Sequence, residues 1–200
     1  MDTASHPIRC RCGKLQGEVT HPERGTRAVC YCRDCQAFAH FLGSPQETLD
    51  PMGGTEVIAI LSRWVFFTAG TEQLACMSLT GQGALRWYAA CCRTPIGNTS
   101  RNFKLSHVGL IHSCLRAGGF EDAFGPVRMR VNRHGAKGLA PTAPVAGHTI
   151  AVLRYGGLLT WSRVSGKYKQ NPFFDGATGR PRVQPRVLSK AEHDKLKAAV

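Results

Sequence analysis

The chain has 200 residues, of which 42% are hydrophobic and 20% charged, a globular composition that excludes a wholly disordered or fibrous polypeptide. Its 26 Lys and Arg stand against 13 Asp and Glu, a formal charge of +13. That charge is uneven: residues 1–100 hold 9 basic and 8 acidic side chains, whereas residues 101–200 hold 17 and 5.

The first hundred residues read as short β segments between turn signals: Ile8–Cys12, Leu15–Val19, Arg27–Tyr31, Glu56–Leu61, Arg63–Thr68, Leu74–Leu79 and Ala84–Tyr88. One helix is predicted over Arg33–Leu42, because Cys35, Phe38, Ala39 and Leu42 share a face and Gly43 supplies a stop. Strand-like segments continue at Val108–His112 and Val127–Val131, and after Arg133 a Gly-, Ala- and Pro-rich linker runs through Gly147. From His148 to Val164 an apolar stripe of Ile150, Leu153, Leu158 and Trp161 predicts a helix that packs on the β domain. Residues 166–188 are basic, Pro-rich and aromatic and are expected to run extended over the surface. A final helix follows Ser189, which forms a capping box with Glu192.

Met1 to Cys12 lacks the apolar run of a secretion signal, and Leu139 to Trp161 is too broken by Pro141, Pro144, His148 and Arg154 to span a bilayer. A cytoplasmic location is expected, where the nine cysteines stay reduced and metal binding or thiolate chemistry becomes the question. Seven of them fall in three groups: Cys10 and Cys12, then Cys30, Cys32 and Cys35, then Cys91 and Cys92. On a strand, residues two apart share a face, so each C-x-C pair would aim both sulfurs at one ion. Cys35, in the first helical turn, would complete a three-thiolate cluster at a helix N-terminus that favours the thiolate. Zinc suits such sites. Reduced packing thiols and a Cys32/Cys35 redox pair are the alternatives, and Cys76 and Cys114, alone among apolar neighbours, read as core residues. The lone His6 and His40 read as packing or surface residues rather than ligands.

A resemblance rests on Cys10-Arg11-Cys12-Gly13-Lys14-Leu15 with Gly17-Glu18-Val19, on Cys30-Tyr31-Cys32-Arg33-Asp34-Cys35-Gln36, and on Arg86-Trp87-Tyr88 with Cys92-Arg93-Thr94-Pro95. Together these are similar to the glutathione-dependent formaldehyde-activating enzymes, a family that includes centromere protein V; the resemblance covers residues 8–99. It implies a mainly β fold, a β-tent of antiparallel strands with one short helix and two zinc sites. The first C-x-C would join a late C-x-x-C around a structural zinc, and the central C-x-C-x-x-C would hold a zinc with an open position for a glutathione adduct. Here the late motif departs: Ala89 stands where its first Cys should be. The structural site is therefore assigned to Cys10, Cys12 and Cys92, with Cys91 a poorer substitute because adjacent residues chelate one tetrahedral ion awkwardly.

Residues 1–133 are accordingly read as a zinc-binding β domain, and residues 134–200 as a basic extension with one or two helices. Cys30, Cys32 and Cys35 would hold the working zinc, and Arg33 and Arg93 are the candidate cations for the anionic thiol substrate. Asp34 reads as a first-turn carboxylate favoured by the helix dipole. The expected activity is that of a carbon–sulfur lyase-like protein acting on a glutathione or small-thiol adduct of an aldehyde. The alternative is a non-catalytic zinc-stabilised module whose basic half contacts nucleic acid, a membrane or an acidic protein. For that role Tyr168, Phe173 and Phe174 interleave with charge as in single-strand binders, and the 148–164 helix could lie on an anionic membrane. A solvated basic surface is the simpler reading of that charge.

Overall fold

The computed structural model describes residues 4–139, 141 and 148–200; of the expected linker, residues 140 and 142–147 lie outside them. The elements in chain order are β1 (Ser5–Arg9), β2 (Gln16–Thr20), β3 (Thr26–Cys30), α1 (Arg33–Leu42), β4 (Thr55–Leu61), β5 (Val65–Ala69), β6 (Leu74–Ser78), β7 (Leu85–Ala89), β8 (Pro95–Thr99), β9 (His107–Ile111), α2 (Phe120–Phe124), β10 (Met129–Val131), α3 (His148–Val164), β11 (Arg186–Val187) and α4 (Lys190–Ala198). The fold is mainly β, as expected, in two sheets. One has the order β1-β2-β5 and the other β10-β3-β4-β9-β8-β7-β6-β11. All pairings are antiparallel except the two outermost of the large sheet, β10 on β3 and β11 on β6. The basic half of the chain thus supplies both edges of the large sheet.

The core follows from period-two alternation. Ile8, Val19, Ile58, Ile60, Leu85, Trp87, Val108 and Leu110 are fully buried between the sheets. Trp87 donates its indole N–H to Thr99 Oγ1 at 2.9 Å, which satisfies its polar atom in that core. α1 begins with Cys32 as N-cap and ends where Gly43 takes φ 89°, a left-handed cap that only glycine adopts without cost. Its Ala37, Phe38 and Leu42 pack under Met77, Leu79 and Leu188, and Leu196 of α4 closes over them. Cys76 and Cys114 are buried core thiols.

Three expectations are corrected. Residues 166–188 do not merely cover the surface: Phe173 and Phe174 are buried against Trp87, Phe67 and Phe103, so they are core residues and not stacking platforms. Of the expected α3 stripe, only Leu158 packs on the β domain. Ile150, Leu153 and Trp161 are exposed, and α3 lays Tyr155, Leu158, Leu159 and Ser162 inward. Tyr155 anchors it through His107 Nδ1 at 2.6 Å and by donating to Ile60 O at 2.9 Å. Polar anchoring, which apolar periodicity does not report, sets the helix's rotation. Finally, the Arg63–Thr68 segment opens as a 3-10 turn over Ser62–Trp64 before β5 begins.

Candidate metal centres

The cysteines gather into two clusters, each able to hold a metal ion: Cys10, Cys12, Cys91 and Cys92, and separately Cys30, Cys32 and Cys35. Within each, all sulfurs lie within 4.8 Å of one another.

The quartet is built from two turns. Cys10 and Cys12 sit in the β1–β2 turn and not on a strand face, because Gly13 at φ 77° turns the chain there. Cys91 and Cys92 sit in the β7–β8 turn, where Arg93 adopts φ 57° and its N–H returns to Ala89 O at 2.8 Å. The first turn belongs to the small sheet and the second to the large one, so the four sulfurs meet where the sheets join. Sulfur separations are 3.6 Å for Cys10–Cys12, 3.8 Å for Cys10–Cys91, 3.3 Å for Cys12–Cys91 and 3.8 Å for Cys91–Cys92. A tetrahedron with metal–sulfur bonds of about 2.3 Å has edges of about 3.8 Å, so the donor set fits one tetrahedral ion. Cys91 belongs to this cluster despite its adjacency to Cys92: the tight turn brings both sulfurs to the same side. Thr94 Oγ1 accepts from Arg11 N at 2.9 Å and lies 3.1 Å from Cys92 Sγ, which ties the two turns together. Burial opposes a thiolate at Cys92, yet hydrogen bonds from Thr94 and the Cys12 backbone bring it down to about 6. Burial raises Cys10.

Beside the quartet is a cleft of about 380 Å³ whose wall includes Arg9, Arg11, Arg93 and Arg116 and a single acid, Glu47. Arg11 pairs with Glu47 at 2.9 Å and donates to Cys92 O at 3.1 Å. Four cysteinates around a divalent ion carry two net negative charges, and this cationic wall offsets them. Arg93, proposed as a substrate cation, borders this cleft. Its guanidinium donates to Phe41 O and lies 5.3 Å from the Phe41 ring, near the C-terminal end of α1.

The triad stands at the opposite end of α1. Cys30 closes β3, Cys32 is the N-cap, and Cys35 lies in the first turn, its N–H donating to Cys32 Sγ at 3.3 Å. Only Cys30 is on a strand, so helix capping and not strand alternation aligns this trio. The neighbouring Cys32 and Cys35 thiols donate to Cys30 and hold it down at about 2, helped by Asn132 Nδ2 at 3.3 Å. Facing that thiolate raises Cys32 and Cys35, the latter fully buried. Metal uptake by the trio releases the protons its thiols hold, so retention of an ion there depends on pH.

Arg86 went unremarked as a site residue in the sequence. On β7 it is buried, with Nη1 3.8 Å from Cys35 Sγ and 3.2 Å from Asn98 Oδ1, its Nη2 3.8 Å from Asp34, and its guanidinium over Phe38. A buried cation in an otherwise apolar strand was the signal that could have marked it. Asp34 also pairs with Lys197 of α4 at 3.2 Å. Arg33 is exposed in the first turn of α1. His6 is not a ligand: it is buried, with Nε2 2.7 Å from Leu115 O. His40 belongs to neither cluster among the described residues.

The chain belongs to a family of unknown function, DUF6151, whose profile matches residues 3–184. That span includes all seven clustered cysteines, Arg86, and the buried Phe173 and Phe174. No curated protein matches the chain. A crystal structure of a Rhodobacter sphaeroides protein is similar to it at 17% identity and a TM-score of 0.41, covering 62% of this chain and 99% of that one. Among the described residues, no helix is long and apolar enough to cross a membrane.

Proposed function

We propose that the quartet holds a structural zinc and the triad a second zinc with a position left for a substrate thiol, and that the protein is a carbon–sulfur lyase-like enzyme. Its substrate class would be a glutathione or other small-thiol adduct of an aldehyde, met in a reducing cytoplasm. The difference in donor number carries this reading: four sulfurs close one site, whereas three in the other leave a tetrahedral ion one ligand short. All-sulfur donor sets favour zinc over the harder divalent cations. The resemblance of residues 8–99 to glutathione-dependent formaldehyde-activating enzymes supports the substrate class.

When bound, zinc would supply Lewis acidity that keeps a substrate sulfur in its thiolate form at neutral pH. The chain's own groups do the rest. Cys30, Cys32 and Cys35 hold the ion, and α1 fixes the last two by its capping geometry. Buried Arg86 offsets the accumulated thiolate charge, and Asn132 orients Cys30. Exposed Arg33 offers a cation to substrate carboxylates at the rim. Asp34, shared between Arg86 and Lys197, positions Arg86. In the lyase direction the carbon–sulfur bond of a hemithioacetal breaks, sulfur keeps the electron pair, and the hydroxyl passes its proton to solvent water as the carbonyl forms.

The test is cobalt(II)-substituted protein titrated with glutathione and followed by its visible spectrum. A saturable change that Cys32→Ser abolishes supports the reading. A spectrum indifferent to glutathione and other small thiols favours the non-catalytic module.

A further inference from the structure

The outward face of α3 is the wrong polarity for water. Ile150, Leu153, Trp161 and Val164 are 72%, 70%, 58% and 77% exposed. With Gly157 they fall at spacings of three, four, four and three residues, one continuous stripe along the helix. The opposite face is already used, since Tyr155, Leu158, Leu159 and Ser162 lie toward the sheet. Patches of this kind on a protein surface mark a contact.

Charge says what covers the stripe. Four basic residues lie on α3 or just after it, Arg154, Arg163, Lys167 and Lys169, and Arg24 and Arg128 join Ile150 and Arg154 in lining one cleft, whose acids are Glu23 and Asp122. Arg154 and Arg163 lie on α3 itself, both exposed, and Lys167 and Lys169 follow its C-terminus. A second copy of the chain would bring this positive field against itself. A nucleic acid would meet the charge but leave the apolar stripe without a partner. A bilayer with anionic headgroups answers both, because acyl chains take the apolar side chains and headgroups take the guanidinium and ammonium groups. Tryptophan also favours the boundary between headgroups and acyl chains.

We propose that α3 is an in-plane membrane anchor, docking the protein on anionic lipid surfaces through Ile150, Leu153, Trp161 and Val164. The metal centres play no part in this contact.

The experiment uses the full metal-loaded chain and vesicles of phosphatidylcholine alone or mixed with phosphatidylserine. Trp64 and Trp87 are buried in the core, so a change in tryptophan emission on docking reports Trp161. The expected result is flotation with the mixed vesicles, a blue shift of emission, and loss of both at high salt. Leu153→Ser, at an exposed position, should leave the melting temperature unchanged and weaken binding about tenfold. The charge dependence needs no variant at all. Absence of flotation with the mixed vesicles overturns the proposal, as does equal binding to neutral ones or binding that Leu153→Ser leaves unaltered. Micromolar self-association abolished by Leu153→Ser, or tight RNA binding without any vesicle binding, assigns the face to the other partner and likewise overturns it.

Discussion

Cys12→Ser and Cys32→Ser each delete one sulfur from a metal centre, yet the structure assigns them very different costs. Cys12 is exposed, so the substitution itself buries nothing unfavourable. Cys32 is a helix N-cap whose sulfur accepts the Cys35 N–H, and serine is a preferred residue for that role. What separates them is the loop each metal closes. Cys12 and Cys91 are 79 residues apart and join the two sheets, whereas Cys30 and Cys35 are near neighbours at one helix start. Treated as a covalent cross-link, closure of the long loop is worth at most about 4.5 kcal/mol and of the short one about 2 kcal/mol. For a chain of this size each kcal/mol moves the melting temperature by roughly 2–4 °C. Cys12→Ser should therefore lower Tm by about 10–15 °C, and Cys32→Ser by less than half as much. Thermal unfolding of metal-loaded protein under reducing conditions, with metal content measured on the same samples, provides the assay. A Cys12→Ser protein that melts with wild type, or a Cys32→Ser protein that is the less stable of the two, would refute the assignment of structural and working sites.

Phe173→Ala should cost about 3–5 kcal/mol, because it opens a cavity beside Trp87 and Phe67; denaturant unfolding reads this directly, and a loss under 1 kcal/mol would mean the extension is not part of the core. Burial holds His107 down at about 4, against 6.5 when unfolded, so its contribution is fully present above pH 6.5 and is lost as pH falls through 4. The loss is on the order of 3 kcal/mol, measurable as falling Tm over that window, and a pH-independent Tm there would contradict it. Tyr155→Phe removes the hydroxyl that joins α3 to His107 and Ile60, and should cost about 1–3 kcal/mol and speed proteolysis within α3. Arg86→Gln should weaken metal retention by the triad about 10–100-fold in chelator competition while the quartet keeps its ion; equal loss from both clusters would show a general folding defect instead.

How far the sequence disclosed this molecule depended on which physical signal each element used. α1 was legible to the residue because its apolar periodicity, its capping position and Gly43 agree. Most strands of the first half were legible within one or two positions from alternation alone. β8 was not, since Pro95, Gly97 and Asn98 lack strand propensity and are held there by pairing with β7 and β9. α2 was missed because five residues show no period. The cysteine clusters were legible in membership but not in mechanism. Turn geometry aligns Cys10 with Cys12, and Cys32 is a helix cap beside Cys30, where strand alternation had been expected for both pairs; Cys35 lies in the first helical turn, as expected. Cys91 looked a poor ligand because adjacency was judged without Arg93, whose left-handed backbone conformation closes the turn beside it. The rotation of α3 was illegible because hydrogen bonds from Tyr155, and not the apolar stripe, fix its inner face.

Metal content per chain, measured after purification under reducing, metal-replete conditions, tests the central claim most directly. Two zinc ions are expected in the wild-type protein and one in Cys32→Ser, the remaining ion being that of the quartet. A wild-type protein with no bound zinc would contradict the account and return the cysteines to redox chemistry or simple packing.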